Sequence, residues 1–244
     1  MNEKKPEFST KSYLFPLINR EGFKFGFIAF FLAAIYGSWA IYKACCSGNP
    51  CAWWLLGVVP FFLLAYGVFL FFRDPERYQP EDKNAILSPA DGRICLIQEC
   101  AMPDAFQELE EFKGKTFWRV SVFMSVFNVH VNRMPTAGEI LHKQYIAGKF
   151  FNASIDKASK DNERCNYLIK TENGLKYAVT QIAGLVARRI VPQVEAGDKL
   201  ERIERLGLIR FGSRLDVYLP EGVKPEVRVG QIMVAGETVL GHIA

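Results

Sequence analysis

The run RFGSRLDVYLP, residues 210–220, carries the clearest strand pattern in this chain of 244 residues. From Arg214 onward the side chains alternate in character. Leu, Val and Leu at positions 215, 217 and 219 fall on one face of an extended backbone, and Arg, Asp and Tyr at 214, 216 and 218 fall on the other. The pattern predicts a β-strand that follows directly on a Gly-Ser pair.

Short runs rich in β-branched residues recur from residue 73 to the end of the sequence. They are Arg93–Gln98, Phe117–Phe123, Asn128–Asn132, Tyr177–Ile182 and Leu215–Leu219. Helical patterns are sparse, with candidates only at 104–112 and 154–162. We therefore predict a mostly β catalytic domain of the α+β class over residues 73–244.

Two segments of this domain resemble each other. SPADGRICLIQ at 88–98 and VRVGQIMVAGETVLGHI at 227–243 both resemble halves of the barrel-sandwich modules of lipoyl and biotinyl carriers. The predicted fold is therefore barrel-sandwich-like. A carrier also needs an exposed lysine at a hairpin tip, and neither segment has one.

Two apolar segments precede this domain, at 25–42 and 51–72, and contain 18 and 22 uncharged residues. A helix rises about 1.5 Å per residue, so segments of this length can cross a hydrocarbon core of about 30 Å. The short connection at 43–50 predicts an antiparallel transmembrane helical hairpin over 25–72, with Pro60 kinking the second helix. A shallow re-entrant insertion is the alternative.

Basic residues near the apolar segments predict the orientation. The N-terminal flank, residues 1–24, carries five Lys or Arg residues, and Arg73 and Arg77 follow the second segment, whereas the connecting loop has only Lys43. Positive flanks favour the cytoplasmic side. We expect the catalytic domain on the cytoplasmic side of the cell (inner) membrane.

Composition excludes several classes of function. The formal net charge is +4, without a basic run of the kind that tracks nucleic acid. The six cysteines form no CxxC pair and have no histidine at metal-ligand spacing, so we expect no metal site and no disulfide framework. The cysteines are interpreted as small buried apolar residues in a reducing compartment.

Asp91, His130 and Ser213 are the candidates for chemistry. In isolation each has an ordinary interpretation: a turn former, a half-buried histidine and a turn serine. The sequence has no GxSxG elbow, which disfavours an α/β-hydrolase. Gly212 suggests another reaction, because glycine leaves its own carbonyl open to attack by the next hydroxyl and tolerates unusual backbone angles. The resulting ester can undergo β-elimination, and the dehydroalanine left at 213 hydrolyses to a pyruvoyl group.

The run 210–220 resembles the processing site of the short bacterial phosphatidylserine decarboxylases. Residues 88–92, 127–135, 152–164 and 186–190 resemble motifs of that family in the same order. The resemblance covers nearly everything after residue 73. It implies a proenzyme that cuts itself between Gly212 and Ser213 into a β chain, Met1–Gly212, and an α chain, Ser213–Ala244, which remain associated as a heterodimer.

The resemblance also implies the reaction. Ser213 becomes a covalent pyruvoyl cofactor that forms a Schiff base with the amine of phosphatidylserine, and the products are phosphatidylethanolamine and CO2. Membrane lipid is then the source of the substrate, and the pathway is phospholipid biosynthesis.

Residue roles follow from the same resemblance. Asp91 matches the aspartate that orients the group activating the serine, and His130 matches a histidine that serves as proton donor in decarboxylation. Longer relatives have a second histidine, credited with self-cleavage, where this chain has Arg133. Either His130 serves both steps here, or self-cleavage relies on strain and Asp91 alone. By charge, the candidates for the lipid phosphate or carboxylate are Lys149, Lys157, Arg164, Arg188 and Arg189.

Two alternatives remain open at this level. One is a pyruvoyl decarboxylase of a soluble amino acid, which leaves the apolar hairpin without a purpose. The other is a non-enzymatic barrel-sandwich carrier, which has no reason to be cut.

Overall fold

The structure is a computed structural model that describes residues 17–46, 56–151, 161–185, 189–210 and 213–243. The chain divides into two compact units, Met1–Glu76 and Arg77–Ala244. Each is described by itself.

In its described residues, the first unit contains the helices α1 (Arg20–Cys46) and α2 (Val59–Phe71). They pack antiparallel, since Gly26 in α1 lies against the ring of Phe69 near the end of α2. A Cβ atom at Gly26 would fall 2.4 Å from that ring, so a larger residue would require the Phe69 ring to move. The strands β1 (Leu17–Ile18) and β2 (Arg73–Asp74) pair antiparallel at the base of the helices.

Helix α1 is 27 residues long and is apolar enough to cross a membrane. The second apolar segment differs from the prediction of one continuous helix over 51–72. Residues 51–55 lie outside the described part, Gly57 and Val58 form a turn, and α2 is only 13 residues long. Pro60 lies in the first turn of α2, so the predicted mid-helix kink was wrong. Proline is tolerated in a first turn because a residue there needs no partner for its backbone N–H within the helix.

The second unit is built from short strands. In the described residues they are β3 (Ala85–Leu87), β4 (Gly92–Cys100), β5 (Phe117–Met124), β6 (Val131–Arg133), β7 (Gly138–Ile146), β8 (Arg164–Thr171), β9 (Lys176–Ala183), β10 (Arg189–Pro192), β11 (Lys199–Leu200), β12 (Arg205–Arg210), β13 (Ser213–Tyr218), β14 (Ile232–Met233) and β15 (Val239–His242).

Two of the sheets determine the architecture. The larger has the strand order β11-β7-β8-β9-β13-β5-β4-β14, and the smaller has the order β10-β12-β6. Their strand pairs are antiparallel. Apolar residues of both sheets, such as Leu215 and Ile209, belong to one hydrophobic core. Burial of that shared core holds the sheets together.

Strand β13 is a central strand, paired with β5 along one edge and with β9 along the other. The predicted alternation is confirmed. Leu215 and Val217 enter the main core, and Tyr218 enters a second cluster with Phe106 and Phe112.

On the second face, Arg214 and Asp216 form a fully buried ion pair. The guanidinium donates from Nε to Oδ1 at 2.6 Å and from Nη2 to Oδ2 at 2.7 Å. The Arg119 guanidinium lies 4.0 Å from the same carboxylate. The hydrogen bonds to Asp216 help raise the pKa of Arg214, so this buried guanidinium remains charged.

Most of the predicted strands exist, with ends shifted by a few residues. The run at Asn128–Asn132 is only partly a strand, because β6 starts at Val131. The two carrier-like segments pair through β14 and β4, and β15 of the second segment pairs with β3, which directly precedes the first segment. Strands β7, β8 and β12 were not predicted.

The helix predicted at Asp104–Phe112 was wrong. The segment is a series of turns in which Gln107 N donates to Pro103 O at 3.1 Å and Lys113 N donates to Leu109 O at 3.0 Å. Phe106 and Phe112 both enter the second cluster, so burial of two rings overrides helix propensity here. The candidate at Ser154–Asn162 lies mostly outside the described residues, and Asn162 forms a β-bridge with Lys149.

The interpretation of the cysteines as buried residues holds only in part. Cys165 is buried and Cys95 and Cys100 are half-buried, whereas Cys45 and Cys46 are exposed at the end of α1. All five are free thiols.

The buried ion pair generates a stability prediction. Asp216→Asn leaves the Arg214 guanidinium buried without its carboxylate, which costs about 3–5 kcal/mol. We expect that loss in the free energy of unfolding by urea, measured in mild detergent. Asp104→Asn, at an exposed position, is the matched control. Both variants are made in a Ser213→Ala background, which removes the hydroxyl expected to cut the Gly212–Ser213 bond and so keeps each sample a single chain. A loss below about 1 kcal/mol would show that the pair contributes little.

Candidate active site

Three chain crossings between the two sheets meet at one end of β13. The links are 125–130 between β5 and β6, 184–188 between β9 and β10, and 211–212 between β12 and β13. Ser213 pairs with Met124 on one side and Ala183 on the other, and these are the last residues of β5 and β9. The three links therefore leave the large sheet side by side.

The link before Ser213 is the shortest of the three, with only two residues between β12 and β13. Arg210 is fixed by pairing with Arg189, and Ser213 is fixed by pairing on both edges. Both ends of the 211–212 link are thus set by different sheets. Phe211 and Gly212 themselves lie outside the described residues.

The Ser213 side chain is fully buried. Its hydroxyl donates to the Met124 sulfur at 3.9 Å. A thioether is a weak acceptor, so this contact costs little to break. Within the described residues the hydroxyl therefore has only this weak acceptor, so it can turn towards its own backbone.

A buried polar chain supports Met124 from behind. Asn132 donates from Nδ2 to the Met124 sulfur at 3.5 Å, and Gln181 donates from Nε2 to Asn132 Oδ1 at 2.8 Å. The Tyr167 hydroxyl donates to Gln181 Oε1 at 2.8 Å. Burial raises the pKa of Tyr167, so the phenol remains protonated and keeps donating.

Sequence reasoning missed this chain. Its signal was nevertheless available, because Asn132 and Gln181 interrupt apolar runs at positions that face the core. Polar residues at such positions are retained only with partners, since burying an unpaired amide is costly.

His130 is buried at the end of the 125–130 link, and the link's own turn orients it. Asn128 Oδ1 accepts hydrogen bonds from the backbone N–H and the hydroxyl of Ser125, at 2.9 and 2.8 Å. The Asn128 carbonyl then lies 2.9 Å from His130 Nδ1. A carbonyl only accepts, so Nδ1 carries the proton and Nε2 is the nitrogen that can take up another.

His130 also borders the strand that leads to Ser213. Its carbonyl accepts the N–H of Ile209 in β12 at 3.3 Å. The structure thus brings His130 and Ser213 to the same junction, one on the link from β5 and one at the start of β13.

Asp91 occupies a tight turn, 88–92, closed by Gly92. Gly92 has a φ of 152°, and a Cβ atom there would lie 2.2 Å from the Phe123 carbonyl oxygen. The Asp91 carboxylate accepts from Arg77 Nη2 at 2.8 and 2.9 Å and from the Ala235 N–H at 2.8 Å. In the described part of the chain the Asp91 carboxylate makes these bonds and has no hydrogen bond to His130 or Ser213.

Arg133 ties strand β6 to two other parts of the chain. Its guanidinium donates to the Ile203 carbonyl at 3.1 Å, while its backbone N–H donates to the Pro89 carbonyl at 2.9 Å. The second bond ties strand β6, and with it the neighbourhood of His130, to the turn that carries Asp91.

Three of the five predicted basic residues are described, and all lie at the Ser213 end of the large sheet. Lys149 stands 5.6 Å above the Phe151 ring, Arg164 pairs with Ile182 at the start of β8, and Arg189 starts β10. Lys157 and Arg188 lie outside the described residues.

Asn162 holds this end together. Its Nδ2 donates to the Ala183 carbonyl at 2.7 Å and to the Phe151 carbonyl at 2.8 Å. Ala183 is the residue paired with Ser213, so the segment carrying Lys149 is fixed directly beside the junction.

A family model described as phosphatidylserine decarboxylase matches residues 65–241, which include Asp91, His130 and Ser213. The chain belongs to the phosphatidylserine decarboxylase family. The match covers every strand of the second unit apart from the end of β15.

Curated relatives agree with this assignment. Proteins named phosphatidylserine decarboxylase proenzyme from Zymomonas mobilis and Novosphingobium aromaticivorans are 49% and 46% identical, covering 94% and 96% of this chain and 88% and 90% of their own lengths. The one from Oleidesulfovibrio alaskensis is 54% identical over 77% of this chain and 82% of its own length.

The polar chain behind Met124 makes a prediction within this family fold. Gln181→Leu leaves the Asn132 amide and the Tyr167 hydroxyl buried without their partner, at a cost of about 1–3 kcal/mol for each unsatisfied group. We expect a lowered urea midpoint in the same Ser213→Ala background. Gln144→Leu, at an exposed position of β7, is the control. Equal midpoints for the two variants would show that the chain of hydrogen bonds does not stabilise the site.

Proposed function

We propose that this chain decarboxylates phosphatidylserine to phosphatidylethanolamine and CO2 after cutting itself between Gly212 and Ser213. The observation that carries the proposal is the position of Ser213. It is buried at the first residue of a central strand, directly after a two-residue link between sheets, in a member of the phosphatidylserine decarboxylase family.

Self-cleavage uses only groups of this chain. Ser213 Oγ attacks the Gly212 carbonyl carbon, the C–N bond breaks, and the amine of Ser213 takes the proton from the hydroxyl. The product is an ester. Loss of the Cα proton then expels the Gly212 carboxylate from Cβ and leaves dehydroalanine, which tautomerises and hydrolyses with one water to a pyruvoyl group and ammonia.

His130 is proposed to move the protons in both stages. Its Nδ1–H is held by the Asn128 carbonyl, which leaves Nε2 to accept and return a proton. An imidazole is suited to this role because its ordinary pKa lies near neutrality. The proposed mechanism uses no second histidine. The position where longer relatives have one is Arg133, whose guanidinium donates to the Ile203 carbonyl.

Asp91 is proposed as a positioning residue. Its bonds to Arg77 and Ala235 fix the 88–92 turn, and the turn holds the backbone of Arg133, three residues after His130. Asp91 would therefore act on His130 through the backbone of β6.

The surroundings of Ser213 fit a pyruvoyl group. The site is closed to solvent and lies beside the thioether of Met124 and the small side chain of Ala183, which suit a methyl ketone. When present, that ketone supplies an electron sink for the pair released as CO2 leaves. This chain's part is to exclude water, keep a proton on His130 for the product carbon, and present Lys149, Arg164 and Arg189 to the phosphate and carboxylate, with Lys157 and Arg188 as further candidates.

The proposal also covers the membrane segment, the soluble domain and the association of the two chains. Residues 25–72 form a membrane hairpin, supported by the long apolar helix α1 and its antiparallel packing on α2. Residues 73–244 form a barrel-sandwich-like decarboxylase domain on the cytoplasmic side of the inner membrane. The α chain, Ser213–Ala244, remains bound to the β chain because β13 is paired on both edges.

The first test concerns the cut. Intact-mass analysis of the wild-type chain should find a fragment of residues 213–244 whose N-terminus resists Edman degradation and reacts with hydroxylamine. Ser213→Ala should stay a single inactive chain of 27.7 kDa. Ser121→Ala, a fully buried serine on neighbouring β5, should be processed normally. Cleavage persisting in Ser213→Ala would place the reaction at another bond.

The second test concerns His130. His130→Gln should lower the decarboxylation rate by about 100-fold or more, because a general acid typically contributes that much. His142→Gln, exposed on β7, should keep the wild-type rate. Phosphatidylserine and free serine are compared as substrates, and turnover of free serine alone would replace the lipid decarboxylase with one for a soluble amino acid.

A further inference from the structure

Large apolar side chains are exposed unevenly on the second unit. Ten are exposed in its described residues, and six of these lie around the Ser213 junction. The six, called the apolar rim below, are Val126, Phe127, Tyr145, Phe150, Phe151 and Leu185.

Strand register places the rim at one end of the large sheet. Phe127 lies on the link that leaves Met124, and Leu185 on the link that leaves Ala183; both strand ends pair with Ser213. Phe151 is tied to the Ala183 carbonyl through Asn162. Tyr145 lies near the end of β7, opposite Cys165 at the start of β8.

The exposure of the rim is large. Phe127 is 76% exposed and Leu185 is 69% exposed, although both flank the most buried part of the site. A soluble domain gains nothing from presenting such side chains to water. Contiguous exposed apolar residues mark an interaction surface.

Basic residues accompany the rim. Arg189 and Arg210 are direct partners at the start of β10 and the end of β12, and Lys149 stands over Phe151. The two arginine side chains bring two positive charges close to the rim, and such charges attract anionic lipid head groups. Among the described residues of this end, Asp161 and Glu163 are acidic, and the Glu163 carboxylate is buried and accepts the N–H of Ile190 at 2.9 Å.

We propose that the apolar rim is a bilayer-docking surface, which inserts among the acyl chains of an anionic membrane while the neighbouring basic residues contact lipid phosphates. The combination of exposed aromatic and aliphatic residues with basic ones matches the acyl and headgroup layers of such a membrane. The Ser213 end then faces the lipid, so a head group reaches the junction without its acyl chains leaving the bilayer. This last step rests on the proposed lipid substrate.

A kinetic test separates docking from chemistry. Full-length wild type and the double variant Phe127→Ser/Leu185→Ser are assayed on phosphatidylserine in phosphatidylglycerol vesicles and on dihexanoyl-phosphatidylserine below its micelle concentration. The ratio of vesicle turnover to monomer turnover should fall about tenfold in the double variant, since lost apolar insertion weakens interfacial binding. Leu109→Ser/Val229→Ser, exposed positions outside the rim, should keep the wild-type ratio.

Each other result contradicts the proposal. An unchanged ratio means that the rim does not dock, and an equal loss on both substrates means that the rim serves the site itself or a protein partner. A loss in the Leu109/Val229 control means that the effect is not particular to this surface.

A second measurement does not depend on activity. The full-length chain is reconstituted in vesicles of phosphatidylglycerol that carries a diazirine in one acyl chain, and cross-links are mapped by mass spectrometry. Peptides containing Phe127, Phe151 and Leu185 should be labelled well above the 104–112 peptide, and equal labelling would overturn the proposal. An enzyme inactive on both substrates would refute the proposed function while leaving this readout intact.

Discussion

The insertion of β13 between β5 and β9 is the constraint on which the rest of this structure depends. A central antiparallel strand is held by hydrogen bonds on both edges, and here its buried faces add the main core on one side and the Arg214–Asp216 pair on the other. Its first residue therefore cannot move with the preceding segment, which belongs to the other sheet. Ser213, the residue proposed to react, thus lies where attachments to two different sheets meet.

The same arrangement explains why the other residues of the proposed site come from distant parts of the sequence. Met124 and Ala183 are strand ends in register with Ser213, and His130 lies on a neighbouring crossing. Antiparallel pairing aligns the crossings without any loop of unusual length. The network from Tyr167 to Met124 then supports the junction from inside the core, where each amide needs its partner.

Sequence patterns predicted the elements that local physics dominates. The alternation at 214–219 was sufficient for β13, because the period of two follows directly from strand geometry. The sequence patterns failed where tertiary packing determines the local secondary structure. The segment at 104–112 has helical residues, but buries Phe106 and Phe112 through turns, and the second apolar segment is interrupted at Gly57 and Val58. The link with Gly212 was found through a motif, whereas Asn132 and Gln181 required three-dimensional register.

The two-residue link between the sheets makes the proposed self-cleavage depend on folding. Arg210 and Ser213, at its two ends, are fixed only when β12 and β13 have each joined their own sheet, so an unfolded or misregistered chain would lack the arrangement on which the proposed cleavage depends. Under this proposal, activation would follow correct folding without a separate protease. A pyruvoyl group made from Ser213, as proposed, would not be replenished from a metabolite pool, and a molecule whose ketone is destroyed would have to be synthesised anew.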